Sequence, residues 1–167
     1  MEKEKAALLQ RVVLTAAVVL VTVFIFDRSM QDADSSNMES AQMMTLVQGV
    51  LQWLGQAGIS MRGLRKLAHW AEFALLGALS EWCLRAYTPR YVRFCGMPLL
   101  SGLLTALTDE TIQRFIPGRS SSVADVWLDF FGVCCGTAAA VGALLLREKM
   151  QQIKNREEKK NDGRSGH

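Results

Sequence analysis

The sequence predicts an all-α fold: an integral membrane bundle of four transmembrane helices, with an extra amphipathic helix in the first outer loop. Half of the 167 residues are hydrophobic, and the charged residues crowd into the tails and loops. Four apolar stretches recur near the roughly 20 residues that a helical crossing needs. None is clean, because Arg11, Glu72, Glu81, Asp125 and Asp129 interrupt them, so the prediction rests on adjacent weak signals that agree. A soluble helical bundle is disfavoured by residues 12–26, an uncharged and strongly β-branched run with no polar face to turn towards water.

The first span is read at residues 8–26. The outer loop that follows, 27–64, is too long to be mere connection. Within it Ser36 and Glu39 have capping-box spacing, and Met43, Leu46, Val47, Val50, Leu51 and Leu54 mark one helical face that Gly55 and Gly58 would end. Such a helix, poor in charge, would roof the bundle or lie in the outer interface. The second span is placed at 67–84, the third at 92–109 and the fourth at 123–146, with a cytoplasmic tail at 147–167 expected to be a frayed helix near anionic lipid.

Small residues set the expected packing. Gly132, Gly136 and Ala140 recur every four residues on the fourth span, as do Ala74 and Ala78 on the second, so these two helices should approach closely. Glu81 and Arg85 have the i, i+4 spacing of an ion pair. Trp82, Tyr87 and Tyr91 would sit at one membrane interface, with Trp70 and Trp127 near the other. Cys83, Cys95, Cys134 and Cys135 lack CxxC spacing and fall in or beside the spans, which indicates neither a zinc site nor an extracellular disulfide.

Orientation follows from the basic residues. With four spans, thirteen of the 19 Lys and Arg residues lie with the two termini and the second loop, and six lie in the first and third loops. The positive-inside rule then gives a multi-pass cell-membrane protein with both termini cytoplasmic. A cleavable signal peptide is disfavoured, because no small-x-small site closely follows the first apolar run.

This orientation puts the polar ends of three spans on the outer side. On the second span Arg65, His69 and Glu72 share a helical face beside Lys66, with Glu72 roughly 10 Å deeper than Arg65. On the third span Asp109 and Gln113 share a face, with Glu110 adjacent. Acids at a helix C-terminus oppose the dipole, so Arg65, Lys66 or Arg119 are expected to hold them. A Pro117-Gly118 turn aims Arg119 back across the mouth, where a planar guanidinium suits a phosphate or carboxylate. Ser122 and Asp125 form a capping pair for the fourth span. Capping does not account for Asp129, one turn further on.

These residues carry a resemblance. Arg65-Lys66-x-x-His69-x-x-Glu72-Phe73, then Asp109-Glu110-x-x-Gln113-x-Phe115-x-Pro117-Gly118-Arg119, then Asp125-x-x-x-Asp129-x-x-Gly132 together resemble the VanZ-like family of small bacterial membrane proteins. The similarity covers about residues 65–142, and on it the chain, 1–167, reads as a single VanZ-like membrane domain. It implies a link to resistance against teicoplanin, a lipid-tailed glycopeptide. Where that family usually has asparagine, this chain has Asp129, which adds a titratable group.

Three functional readings follow. In the first, the cluster binds a membrane lipid head group, a lipid-linked envelope component or a lipoglycopeptide through Arg65, Lys66 and Arg119. In the second, a membrane enzyme uses His69 with Glu72, Asp109 or Glu110 as acid and base on a lipid-linked or cell-wall substrate; no nucleophile stands out, since Ser120, Ser121 and Ser122 read as turn and cap residues. In the third, the cluster is a structural network. Neither a cofactor nor a metal is expected, because a set of His69, Glu72, Asp109 and Asp125 offers too few nitrogen ligands for zinc. Nucleic acid is not an expected partner.

Overall fold

Helix α1, Glu2–Met30, opens with Glu2 and Glu4 and closes with Arg28, charges that complement the helix dipole at each end. It is longer at both ends than the span read from hydropathy. The computed structural model describes residues 1–31, 58, 60–119 and 121–165; the helix expected from Ser36 to Leu54 lies outside the described residues. Helix α2, Met61–Tyr87, starts at Ser60, whose hydroxyl accepts the Gly63 N–H at 3.1 Å. It stops at Thr88, held extended ahead of Pro89.

A short helix α3, Tyr91–Phe94, leads into α4, Gly96–Gln113, with Pro98 in the first turn, where a missing N–H costs little. Helix α5, Val123–Ser165, runs for 43 residues, so the expected tail continues the last span as one helix. Among the described residues the chain contains helices and no strand.

Three of these segments are long and apolar enough to cross a membrane: Glu2–Met30, Tyr91–Gln113 and Val123–Glu158. They expose Val12, Leu20, Leu100, Leu104, Phe131 and Leu145, large apolar side chains that water does not favour. Polarity is on the inside instead, with Ser29, Glu81, Asp109, Glu110, Gln113, Asp129 and Thr137 buried. Helix α2 falls short on composition because Arg65, Lys66, His69, Glu72, Glu81 and Arg85 lie along it.

Helix α2 packs most extensively on α5, at the small residues that the sequence marks. A Cβ on Gly136 would run into the Ala74 carbonyl, and one on Gly132 into the Trp70 carbonyl. Gly77 meets the Val133 backbone in the same way, and Gly102 of α4 accommodates the Val133 side chain. Ile25, Phe73, Leu76, Ala106, Val126 and Val133 fill the apolar core. The interruption at Arg11 is also explained: its Nε donates to the Ala86 carbonyl at 3.0 Å and its guanidinium lies 5.4 Å from the Tyr87 ring centroid, capping the end of α2.

Two expectations are corrected. Arg85 does not pair with Glu81; it reaches Glu148 of α5 at 3.1 Å, while Glu81 is fully buried with both carboxyl oxygens unpartnered. Tertiary packing of α2 on α5 presents Arg85 with a partner outside its own helix, and this overrides sequence spacing. Tyr91 is not an interfacial belt residue, being only 2 % exposed, whereas Trp82, Tyr87 and Trp127 do sit on the surface.

Replacing Gly136 by Val should separate α2 from α5 and destabilise the protein by about 3 kcal/mol or more. Gly142→Ala, where an added Cβ meets nothing within 4 Å, should be neutral. Thermal unfolding of the two variants in detergent checks the contrast.

Candidate functional site

One end of the bundle gathers the C-termini of α1 and α4 and the N-termini of α2 and α5. Each such terminus leaves backbone groups without a partner in its own helix, and here the neighbouring helices supply the partners. Arg119 donates through Nε to the Gln31 carbonyl at 3.2 Å and through an Nη to the Arg28 carbonyl at 3.0 Å, capping α1. Glu110 accepts the Ser122 N–H at 3.0 Å just ahead of α5. Ser122 and Asp125 make the expected reciprocal cap, with the Asp125 N–H reaching the Ser122 hydroxyl at 3.2 Å and that hydroxyl donating to the Asp125 carboxylate at 2.8 Å. Lys66 of α2 pairs with Asp125.

The turn that delivers Arg119 is the one expected from Pro117-Gly118. The Arg119 N–H bonds the Ile116 carbonyl at 3.2 Å, and Gly118 takes φ 76°, a left-handed conformation that glycine adopts without strain. The guanidinium is half-buried, which together with the nearby Arg65 lowers its proton affinity from the ordinary arginine value. Two guanidiniums crowded together are a setting that an anion relieves.

Behind this rim lies Asp109, with no exposed surface. Its carboxylate accepts from the Ser29 hydroxyl and from Gln113 Nε2, the latter at 2.8 Å. Gln113 also reaches the Ser29 oxygen at 3.4 Å. The expectation that cations hold the two acids at the end of α4 is met only from a distance: neutral donors bond Asp109 and a backbone N–H bonds Glu110, while Arg119 and Lys66 act on them electrostatically from further away. His69 Nδ1 stands 3.9 Å from Asp109 Oδ2, beyond hydrogen-bond reach, and has no hydrogen-bond partner. Glu72 faces α1, 3.5 Å from Arg28.

A cavity of about 240 Å³ opens between these groups, lined by Arg65, Lys66, His69, Glu110, Gln113, Arg119, Ser122, Asp125, Leu128 and Asp129. Of the binding residues expected from sequence, all but Glu72 and Asp109 line it, and those two lie directly behind. Among the described residues, Arg65 and Asp129 face the cavity without a hydrogen bond or ion pair. Beside it runs a mostly apolar groove along Leu107, Thr111, Phe115, Val123 and Val126, which shares Glu110 and Ser122 with the polar cavity.

Sequence reasoning missed the contribution of α1. Arg28, Ser29 and the Gln31 carbonyl complete the site, and the available signal was an abrupt change to polar residues directly after the first apolar run.

A family model described as VanZ/LLP1 matches residues 12–146, a stretch that contains every residue of the site. No curated protein and no solved structure matches the chain.

Removing the Ser29 hydroxyl leaves a buried carboxylate short of a donor. Ser29→Ala should therefore cost about 1–3 kcal/mol, whereas Ser29→Thr, which retains the hydroxyl, should cost less. Paired thermal-unfolding curves in one detergent measure the difference.

Proposed function

Because the chain belongs to the VanZ/LLP1 family, we propose that it is a four-crossing envelope membrane protein whose polar cavity binds the anionic head group of a lipid or lipid-linked envelope component. Through that contact it would confer tolerance to lipid-tailed glycopeptides such as teicoplanin. Arg65 carries this reading: a guanidinium beside Lys66 and Arg119 that faces the cavity without a carboxylate partner among the described residues. Unpaired, it retains its planar fork for a phosphate or carboxylate. The adjoining apolar groove supports an amphiphile over a free anion, since a head group in the cavity would leave its chain against Phe115 and Val123.

In this reading α2 is the fourth crossing. Its 27 residues span about 40 Å; Arg65, Lys66 and His69 line the cavity and Glu81 is buried. Four crossings with the basic tail in the cytoplasm open the cavity to the outer surface.

A second reading draws on the approach of His69 to Asp109 at 3.9 Å: acid/base catalysis on a lipid-linked or cell-wall substrate. Asp109→Asn separates the two, since it keeps the guanidinium contacts and removes the base.

Teicoplanin susceptibility of a sensitive Gram-positive host, expressing wild type or Arg65→Gln at matched membrane levels, tests the proposal. Wild type should protect and Arg65→Gln should not, as losing a charge-assisted bond of about 1.5–3 kcal/mol weakens binding by roughly tenfold or more. Equal protection by both, or none from wild type, contradicts it.

A further inference from the structure

The cavity floor contains a group that neither helix capping nor anion binding employs. Asp129 is 2 % exposed, lines the cavity, and has no hydrogen bond or ion pair among the described residues. Beside it are Asp109, a second buried carboxylate, and His69, whose Nδ1 is buried without a hydrogen bond. One ligand atom from each of the three lies within 4.8 Å of the others. From this juxtaposition we propose that His69, Asp109 and Asp129 bind Mn²⁺, a divalent ion that accepts a mostly oxygen donor set, at the base of the cavity.

Geometry supports the assignment. Metal bonds of about 2.0–2.2 Å place two ligands on one ion at most roughly 4.4 Å apart. The 3.9 Å between His69 Nδ1 and Asp109 Oδ2 is too long for a hydrogen bond yet falls inside that limit. All three ligand atoms lie within 4.8 Å of one another, so side-chain adjustments of about an ångström bring them onto one ion. Competing roles for neighbouring acids are already assigned: Glu72 faces Arg28, Asp125 pairs with Lys66, and Glu110 accepts from Ser122. Asp109 can add a metal bond to those it makes with Ser29 and Gln113, because an ionised carboxylate offers about four acceptor sites. Those two donors then fix the ligand's orientation.

Charge and donor type point the same way. Two carboxylates this close repel unless a proton or a cation lies between them. One imidazole with two carboxylates suits Mn²⁺: the single nitrogen is few for Zn²⁺, while Mg²⁺ and Ca²⁺ favour all-oxygen sets. The remaining coordination positions face the cavity, below Arg65 and Arg119, where an anion can take them. Metal uptake itself does not depend on what that anion is.

The test uses the full chain in detergent, stripped with chelator and titrated with MnCl₂ while free Mn²⁺ is followed by electron paramagnetic resonance. One Mn²⁺ per chain is expected. Asp129→Asn and His69→Gln should each weaken uptake roughly tenfold or more, and Glu148→Gln, whose carboxylate pairs with Arg85 away from this cavity, should not. Nitrogen modulation of the Mn²⁺ echo in the wild type reports the imidazole directly and decides the matter should either variant fail to fold. Absence of stoichiometric uptake, absence of the nitrogen signal, or wild-type affinity in Asp129→Asn overturns the site. Such a result would indicate a proton shared between the carboxylates, and would leave the head-group reading on Arg65 to stand or fall by its own test.

Discussion

A carboxyl group with no exposed surface is costly to leave without donors, and where buried Glu81 has none, Asp109 has two; the arrangement of the polar end of this protein follows from supplying them. These donors come from two helices, Ser29 at the end of α1 and Gln113 at the end of α4. To deliver the first, α1 must extend a turn beyond its apolar run. To deliver the second, α4 must remain helical to Gln113. His69 then approaches from α2, and Asp129 from α5. The position of one buried acid thus ties together the ends of four helices that are far apart in sequence.

The same logic governs the rest of that end. Helix termini need partners, and they are supplied by Arg119 of the turn after α4 for α1, by Glu110 of α4 and a local Ser122–Asp125 cap for α5, and by Ser60 at the head of α2. Once these obligations are met, few polar groups remain uncommitted around the cavity. Arg65 and Asp129 are the two that stand out, a guanidinium and a buried carboxyl group, and the functional proposals rest on them for that reason. The close approach of α2 and α5 at Gly132 and Gly136 keeps the cavity narrow enough for both to matter.

Much of this was legible in the sequence where a local rule sufficed. Small residues four apart foretold the α2–α5 interface, Pro117-Gly118 foretold the turn that returns Arg119, and Ser122 with Asp125 foretold a cap. Helical phase brought Arg65, His69, Asp109 and Gln113 towards one end. Legibility failed where long-range contacts compete with local ones. Arg85 prefers Glu148 to the residue one turn away, and Ser29 finds Asp109 across 80 positions. No periodicity encodes such pairs. The stretch read as a span at 67–84 does fold as the helix α2, but among the described residues three other helices are the ones long and apolar enough to cross a membrane, because charged residues lie along α2.

The central claim is that this polar end opens to the outer side of the membrane in a four-crossing bundle. The most direct test replaces the four native cysteines by alanine, introduces Ser121→Cys beside the cavity or Gln151→Cys on the tail, and treats intact cells with a membrane-impermeant maleimide. The account predicts labelling of Ser121→Cys in intact cells and of Gln151→Cys only after permeabilisation. Labelling of Gln151→Cys in intact cells, with Ser121→Cys protected, would contradict it.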